Sequence, residues 1–473
     1  MGTVFEVQGR AMTRVAGVLT VVAGLLACEA RLLDVSGAPG EACGEQTCAA
    51  GQVCAAAVCV APVEIHGRVI DASTQAAIAG ARVHGQDSGG TTPGPVAISD
   101  EEGRFVLSVG VPRTDTGAPA GGVRITLSAF AAGYRPFPDG LRVALPIAVG
   151  DAELDEERGA YVVGDAANTT IGLIAAKDAG VTISGRVGGE APAGTLVIAE
   201  GSTPVYGLAD VDGTYTLFDV RPGKATVRGY RRGVSLVARA VDVKGEDLVD
   251  VDLAVDDEAQ PGSIRGSVQL VDPGDGEATS VVLVPTSVFD EQLARGPVPL
   301  GLRAPDPGRA PDVTGAFTIE GVPAGTYRVL AGFENDGLVR DPDVAIGGTM
   351  VPQVKVGAGA AANAGSFKVT GALAVVGPGR DDPEVVSAAP SFTFASDASA
   401  DHYLVRVFDE LGMLVWEASA PRPAGNEDVV VEYAGPALKS GAYYQFRAVS
   451  VKDMDDKDAL STTEDLRGVF VVE

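Results

Sequence analysis

The sequence predicts an all-β fold built from several β-sandwiches in tandem. Short apolar runs, bounded by glycine, proline, aspartate and asparagine, recur about every 8 to 12 residues, a spacing typical of strands joined by tight turns. The 473 residues include 62 glycines and 29 prolines, and long helical periodicity is missing. Because a single hydrophobic core rarely grows beyond about 250 to 300 residues, we expect several domains.

The first 28 residues have the pattern of an export signal. Arg14 precedes an apolar run, 15–26, that is shorter than the roughly 20 residues a membrane-spanning helix needs. Ala27 and Cys28 then resemble the lipobox of bacterial lipoproteins, which implies cleavage after residue 27 and a lipid on Cys28. Glu29 follows, and by the same resemblance we expect an anchor in the outer membrane, on either its periplasmic or its surface face. A buried apolar helix is the alternative.

Four further cysteines follow within 17 residues: Cys43, Cys48, Cys54 and Cys59. An even set of closely spaced thiols in an exported chain is most simply two disulfides, and three pairings are possible. The segment is too short to bury a core, so covalent bonds must supply its order. A four-thiolate zinc site is the alternative, although the spacing lacks the usual two-residue knuckles.

Two short patterns recur together three times along the chain. The first is an opening strand with a central glycine, and the second is an Asp-x-x-Gly turn followed by an aromatic and an aliphatic residue. The openers are 65–69, 183–187 and 264–268, with a weaker echo at 369–373, and the turns are 100–107, 210–217 and 312–319.

Turn chemistry accounts for the second pattern without a ligand. Aspartate accepts hydrogen bonds from backbone amides ahead of it, and glycine adopts the positive φ that closes a hairpin. The aromatic two residues after the glycine then faces inward, since strand side chains alternate. We therefore expect Phe105, Tyr215 and Phe317 to be core anchors. In two copies a proline–glycine turn leads into the next strand, at 220–227 and 322–329.

This combination resembles the carboxypeptidase regulatory-like family, whose members are seven-stranded transthyretin-like sandwiches. The resemblance is good over 61–135, fair over 180–255 and 262–356, and implies an accessory role without peptidase activity. The last hundred residues instead contain six alternating runs that resemble a fibronectin type III-like, Ig-like sandwich. The predicted domains are a signal peptide (1–27), a lipidated, cysteine-rich segment (28–60), sandwiches at 61–175, 176–258 and 259–360, and a fibronectin-like sandwich at 361–473. Linkers rich in glycine, alanine and proline are predicted near 36–42, 256–262 and 357–366.

No catalytic constellation is visible in the sequence. His66, His84 and His402 each stand alone, without the spacing that zinc hydrolysis uses, and we expect His66 and His84 to be ordinary surface imidazoles. A Gly-x-Ser-x-Gly elbow, a phosphate-binding glycine loop and a spare cysteine are all missing from the sequence. We expect a non-enzymatic protein with neither a cofactor nor a bound metal.

Two features could still indicate ligands. Asp210 and Asp212 have the spacing of calcium ligands, but no distal glutamate follows as in an EF-hand, and turn chemistry is sufficient. Trp416 lies on a predicted strand, where core packing is the default role, and stacking on a sugar is the alternative.

The net charge of −27 disfavours binding to nucleic acid or to anionic headgroups. Together these features predict a lipid-anchored envelope protein with a structural, adhesive or binding role, whose partners could be envelope proteins or polysaccharide. One alternative is a carbohydrate-binding accessory lipoprotein, for which burial of Trp416, Tyr433 or Tyr443 would be unfavourable evidence. Another is an accessory subunit of a secreted peptidase.

Overall fold

The computed structural model describes residues 42–473, apart from 44, 50–51, 56, 88–89, 141–143, 145, 165, 275, 292, 306–311, 334–335, 344–349, 382, 410–411 and 453–457. The predicted signal peptide and Cys28 lie outside the described residues. Within the described part of the chain, no helix has the length and apolar character needed to cross a membrane. The fold is all-β, as predicted, and consists of tandem β-sandwiches behind a small disulfide-bonded segment.

The disulfide-bonded segment consists of two short hairpins. Strand β1 (Ala42–Cys43) pairs with β2 (Gln46–Thr47), and β3 (Val53–Ala55) pairs with β4 (Val58–Val60). Cys43 is bonded to Cys54 and Cys48 to Cys59, so each bond joins one hairpin to the other. The four sulfur atoms are therefore paired with one another, as in the disulfide interpretation.

The first sandwich packs a five-stranded sheet on a four-stranded sheet. The five-stranded sheet is centred on β5 (Val63–Asp71) and contains β8 (Arg104–Val109), β11 (Glu153–Asp155), β12 (Ala160–Val163) and β13 (Thr170–Leu173). The other sheet has β6 (Arg82–Asp87), β7 (Ala97–Ile98), β9 (Arg124–Phe130) and β10 (Ile147–Ala148). Two short helical turns, a 3-10 turn at Val149–Asp151 and α1 at Ala166–Thr169, connect strands of this sandwich.

The second sandwich is the smallest. Its strands are β14 (Val181–Arg186) and β17 (Thr214–Val220) in one sheet, and β15 (Leu196–Glu200), β16 (Val205–Leu208), β18 (Gly223–Tyr230) and β19 (Arg239–Val243) in the other. The predicted proline–glycine turn at Pro222 and Gly223 carries the chain from β17 in one sheet to β18 in the other.

The third sandwich has two four-stranded sheets. One contains β20 (Gly262–Leu270), β23 (Ala316–Val322), β25 (Leu338–Arg340) and β27 (Ala361–Gly371), and the other contains β21 (Val281–Pro285), β22 (Arg303–Ala304), β24 (Gly325–Ala331) and β26 (Gln353–Val356). A 3-10 turn at Thr286–Val288 follows β21.

Strand β27 corrects two predictions. Residues 357–366 were expected to be a linker and 361 to begin the last domain, but β27 pairs in parallel with β20 over most of its length. The opener echo around Gly371 is the end of this strand rather than the start of a new sandwich. Glycine and alanine misled the prediction because both are depleted in strands, whereas here the pairing with β20 makes the segment a strand.

The fourth sandwich contains all six strands predicted from alternation. Its smaller sheet has β28 (Val375–Gly377), β30 (Ser391–Phe394) and β33 (Val429–Glu432), and its larger sheet has β29 (Glu384–Val386), β31 (His402–Asp409), β32 (Leu414–Pro421), β34 (Tyr443–Val451), β35 (Ala459–Thr462) and β36 (Val469–Val472).

The hydrophobic cores are not confined to single sandwiches. The first, second and fourth sandwiches each have a cluster of their own. The core of the third sandwich, however, continues into its neighbours and includes Phe130 of the first sandwich and Ile198 and Tyr230 of the second. The first three sandwiches are therefore joined through buried apolar contacts.

Candidate functional site

The recurrent glycine and the recurrent aromatic are direct partners across two strands. Gly67 lies opposite Phe105, and Gly266 lies opposite Phe317. A Cβ atom added to Gly67 would come within 2.3 Å of the Phe105 ring, and one added to Gly266 would come within 2.7 Å of the Phe317 ring. The ring covers the glycine, an arrangement known to stabilise glycine in sheets.

In the second sandwich the recurrent glycine also lies opposite the recurrent aromatic, but a backbone carbonyl rather than the ring covers the glycine. Gly185 lies opposite Tyr215, and a Cβ atom on Gly185 would meet the Val251 carbonyl oxygen at 2.3 Å. The Tyr215 hydroxyl donates a hydrogen bond to that same oxygen. Phe105, Tyr215 and Phe317 are all buried, which confirms their prediction as core anchors.

The Asp-x-x-Gly turn forms in two copies and not in the third. Gly103 and Gly213 have φ of 75° and 85° and donate to the carbonyls of Asp100 and Asp210 at 2.9 Å. Gly315 lacks the positive φ, so the turn prediction is wrong for the third copy. In the first two copies the turn forms but does not close a hairpin, because β7 and β8 lie in different sheets, as do β16 and β17. All three copies share one backbone hydrogen bond, in which the amide of the last opener valine donates to the carbonyl of the turn glycine. The pairs are Val69 and Gly103 at 2.7 Å, Val187 and Gly213 at 2.8 Å, and Val268 and Gly315 at 2.9 Å.

The carboxylate of Asp210 contributes to the junction between the first and second sandwiches. In the first copy, Asp100 accepts bonds from amides of its own turn. In the second copy, Asp210 Oδ1 accepts the amide of Val96 in the first sandwich at 2.9 Å, while Asp212 accepts the Thr214 amide and hydroxyl at 2.9 and 2.7 Å. These backbone and hydroxyl donors all bind the Oδ1 atoms of the two aspartates that the calcium alternative names.

A second carboxylate holds the same junction. Asp219 has a φ of 60°, and its two oxygens accept the amides of Gly133 in the first sandwich and Gly180 at the start of the second, at 2.8 and 3.1 Å. One side chain thus fixes two chain segments that are 47 positions apart in the sequence. The Tyr206 hydroxyl adds a bond of 3.4 Å to the Pro138 carbonyl.

The junction between the second and third sandwiches combines apolar packing with backbone bonds. The rings of Tyr230 and Tyr327 meet edge to face with centroids 6.0 Å apart. The amides of Arg232 and Gly233 donate to carbonyls of the third sandwich at 2.9 and 2.7 Å. Glu200 Oε1 accepts both the Tyr230 hydroxyl at 2.9 Å and the hydroxyl of Ser287 in the third sandwich at 3.1 Å.

The junction between the third and fourth sandwiches is formed by buried ion pairs. Asp465 is buried and forms ion pairs with Arg447 of its own sandwich and with Arg340 of the third, the latter at 3.1 Å. Burial would raise the pKa of Asp465, but the charges of Arg447, Arg340 and Arg295 outweigh burial and hold that pKa below its ordinary value. Asp465 is therefore an ionised carboxylate at neutral pH.

Arg295 extends this junction to the first sandwich. Its guanidinium donates to the Asp465 carbonyl at 3.0 Å and to the Gly140 carbonyl at 3.1 Å. Beside it, Glu464 accepts the amide of Gly337 in the third sandwich at 2.7 Å and pairs with Arg467. The sequence does not reveal this cluster, because its members are far apart along the chain and Glu464 and Asp465 stand in a polar stretch typical of an exposed turn.

The histidines do not form a catalytic arrangement among the described residues. His66 Nε2 lies 2.8 Å from Glu64 Oε2, and His402 begins strand β31. His84 was expected at the surface, but it lies inside strand β6 and is 1% exposed. The second sandwich covers the sheet face on which it lies, and the sequence of the first sandwich alone does not indicate this.

The aromatic residues considered for sugar stacking differ in exposure. Tyr433 is buried, and Trp416 is half-buried against it with ring centroids 5.0 Å apart. Phe392 lies beneath both rings. Tyr443 is 40% exposed. Trp416 and Tyr433 therefore pack on the core of the fourth sandwich, and Tyr443 is the most exposed of the three rings.

A shallow groove of about 390 Å³ crosses the outer face of the third sandwich. Its lining includes Arg265, Ser267, Thr318 and Asn363. It offers one charged side chain and no pair of titratable groups, and this composition is that of a polar sheet surface rather than of an active site.

No family model and no curated protein matches the chain. Among solved structures, the chain is similar to two B repeat units of the collagen-binding protein of Staphylococcus aureus, with 12% identity, 85% of this chain and 99% of that chain covered, and a TM-score of 0.19. The major pilin subunit BcpA of Bacillus cereus matches at 11% identity, 66% and 99% coverage and a TM-score of 0.17. The Bacillus anthracis TIE protein matches at 10% identity over 82% of this chain, with a TM-score of 0.14, and the chain spans 64% of its length. Because these scores are low, the function proposed below rests on the contacts of the chain itself.

Proposed function

We propose that this chain is a non-enzymatic envelope protein with a structural or adhesive role, in which the sandwiches act as one connected support. The observation that carries the proposal is the set of buried junctions. The core of the third sandwich includes side chains of the first and second, and Asp465 joins the third to the fourth. Such contacts hold the sandwiches in fixed orientations, which a support needs and a flexible string of domains lacks.

The recurrent residues give this proposal a second, independent line of support. The glycines, aspartates and aromatics that repeat along the chain are used for strand pairing, turns and packing, as described above. In an active site, we would expect titratable groups to lie together in a cleft. Here the recurrent residues build the sandwiches and their junctions instead.

We further propose that Cys28 carries the lipid and that the protein is anchored in the outer membrane, with Cys43 to Cys59 forming a covalently stabilised neck. The support is the sequence of the first 28 residues and the two disulfides, which suit an oxidising, exported location. We assign the first three sandwiches to the carboxypeptidase regulatory-like type and the fourth to the fibronectin type III-like type, on the motifs quoted above.

The connected support is tested by calorimetry of the purified chain. We expect the first three sandwiches to unfold in one cooperative transition, because the core of the third contains side chains of the first and second and is lost when either neighbour unfolds. Three separable transitions, each with its own midpoint, would contradict the proposal.

The anchor is tested in cells that express the wild type and Cys28→Ser. Wild-type protein should take up labelled fatty acid and sediment with membranes, whereas Cys28→Ser should do neither. Unacylated wild-type protein recovered from the medium would refute the anchor and leave the connected support untouched. Protease treatment of intact cells then determines the face of the membrane.

The carbohydrate-binding alternative has one feature in its favour, the exposed ring of Tyr443. Affinity electrophoresis against envelope polysaccharides would support it if the wild type is retarded and Tyr443→Ala is not. Retardation of both proteins equally would exclude this ring as the binding residue.

The peptidase-accessory alternative predicts that an enzyme copurifies with the chain.

A further inference from the structure

His84 lies on the face of its sheet that looks away from the core of its own sandwich. On the same strand, Val83 belongs to that core, and a Cβ atom on Gly85 would contact Leu107 and Ile125 of the core. Since strand side chains alternate between the two faces, His84 points to the opposite side. In an isolated sandwich this outer face would be open to water.

The second sandwich covers this outer face. The His84 ring meets the ring of Phe130 edge to face at 5.7 Å, and Phe130 meets the ring of Tyr206 of the second sandwich at 5.8 Å. Phe130 belongs to the core shared with the second and third sandwiches. His84 Nδ1 is buried without a hydrogen-bond partner, so the imidazole is enclosed at the junction and lacks an acceptor there for a proton on that nitrogen.

Among the charged groups around this face, Arg82 opposes a positive imidazole, and the carboxylates lie beside Arg82 and Tyr206. Arg82 lies on the same strand and lowers the pKa of His84. Asp210 and Asp212 of the second sandwich lie close enough to Arg82 to affect its pKa. Asp139 and Arg135 lie near Tyr206 on the other side and have opposite effects on the pKa of its phenol.

We propose that His84 makes the junction between the first and second sandwiches sensitive to acid, because the imidazole can take up a proton only when the junction opens. Acid then shifts the junction toward its open form while the separate core of each sandwich remains intact. This inference goes beyond the structural role proposed above and adds a condition under which the support loosens.

The direction and size of the effect follow from proton linkage. Burial, and then the charge of Arg82, lower the pKa of His84 from 6.5 to about 3 in the closed junction. Stability due to the neutral imidazole is therefore fully present above pH 6.5 and is lost as the pH falls toward 3. With these two values, the open fraction should rise about 30-fold between pH 7.5 and pH 5.0.

Asp210 and Asp212 do not produce the same response in this pH range. Burial raises the pKa of Asp210, so acid favours the closed form through this group. The pKa of Asp212 is lowered, because bonds from Thr214 and the charge of Arg186 outweigh burial. Its contribution is lost only below the ordinary aspartate range, which lies beneath pH 5.

Hydrogen exchange of two amides reports the junction directly. Val96 and Gly133 of the first sandwich donate to Asp210 and Asp219 of the second, whereas the Val69 amide bonds within the first sandwich. In the wild type, protection factors of Val96 and Gly133 should fall about 30-fold from pH 7.5 to 5.0, while that of Val69 should change little.

The variant His84→Gln should abolish this pH response, and His66→Gln, which removes a histidine from the other sheet, should retain it. If His84→Gln does not fold, His84→Phe serves the same purpose, because it keeps the ring against Phe130 and removes the titration. Two results would overturn the proposal: the same pH response in His84→Gln as in the wild type, or equal loss of protection at Val69, which would mean that the first sandwich itself unfolds.

Discussion

The two junctions that flank the third sandwich are built from opposite chemistries. Toward the second sandwich, the third shares an apolar core in which Ile198 and Tyr230 pack among its own residues. Toward the fourth, it meets a buried carboxylate surrounded by arginines. Apolar packing gives cohesion without strict direction, whereas ion pairs fix both partners and are costly when one partner is lost. The chain thus combines a cohesive junction with a directional one.

The largest effect should come from removing the charge at the directional junction. Asp465→Asn leaves Arg295, Arg340 and Arg447 without their common anion, and breaking a buried ion pair by removing one partner costs about 3 to 5 kcal/mol. Urea unfolding should show this loss. Asp381→Asn is the matched control, since Asp381 pairs with Arg467 but is 72% exposed, and it should change stability by less than about 0.5 kcal/mol. Equal effects of the two variants would mean that burial does not distinguish these pairs.

A somewhat smaller loss of stability is expected at the cohesive junction, where two neighbouring residues of one strand provide the test variant and its control. Ile198 and Val197 are both fully buried on β15, but Ile198 faces the shared core and Val197 the core of the second sandwich. Ile198→Ala should cost about 2 to 5 kcal/mol and reduce the protection of the Arg232 and Gly233 amides, which bond to the third sandwich.

Val197→Ala should destabilise the second sandwich instead, so protection within its sheets falls first. If both alanine variants loosen the Arg232 and Gly233 amides to the same extent, the shared core has no separate role in the junction.

The smallest loss of stability is expected from removing either of the two hydroxyl groups that donate to Glu200 Oε1. Ser287→Ala removes the bond to Glu200 that crosses the junction, and Tyr230→Phe removes the bond made within the second sandwich. Each should cost about 0.5 to 1.5 kcal/mol in urea unfolding. Only Ser287→Ala should also reduce protection at Arg232 and Gly233, and a loss of that protection in Tyr230→Phe would show that the phenol contributes to the junction as well.

Local chemistry made the sandwiches predictable. The aromatic two residues after a turn glycine faces the core because strands alternate, and Phe105, Tyr215 and Phe317 are buried as expected. Six alternating runs in the last hundred residues are all strands. These inferences depend on neighbours along the chain, and periodicity carries that information.

The junctions were not predictable, because they depend on contacts between distant segments. Asp219 looks like any strand aspartate, yet it accepts amides of Gly133 and Gly180. His84 has the sequence surroundings of a surface histidine and is buried by another sandwich. The same limitation explains the linker predicted at 357–366, since only the pairing with β20 distinguishes a strand rich in alanine and glycine from a flexible segment.

Strand β27 has a consequence for how such a protein can be divided or recombined. It lies between β20 and β25 in the third sandwich and ends directly before the fourth. A gene fusion or expression fragment cut at residue 361 would carry this strand away and leave β20 with an open edge, the kind of surface that templates aggregation. A crossover placed after Gly371 keeps the sheet whole, so exchange of the terminal module between related genes is expected to tolerate that position and not the earlier one.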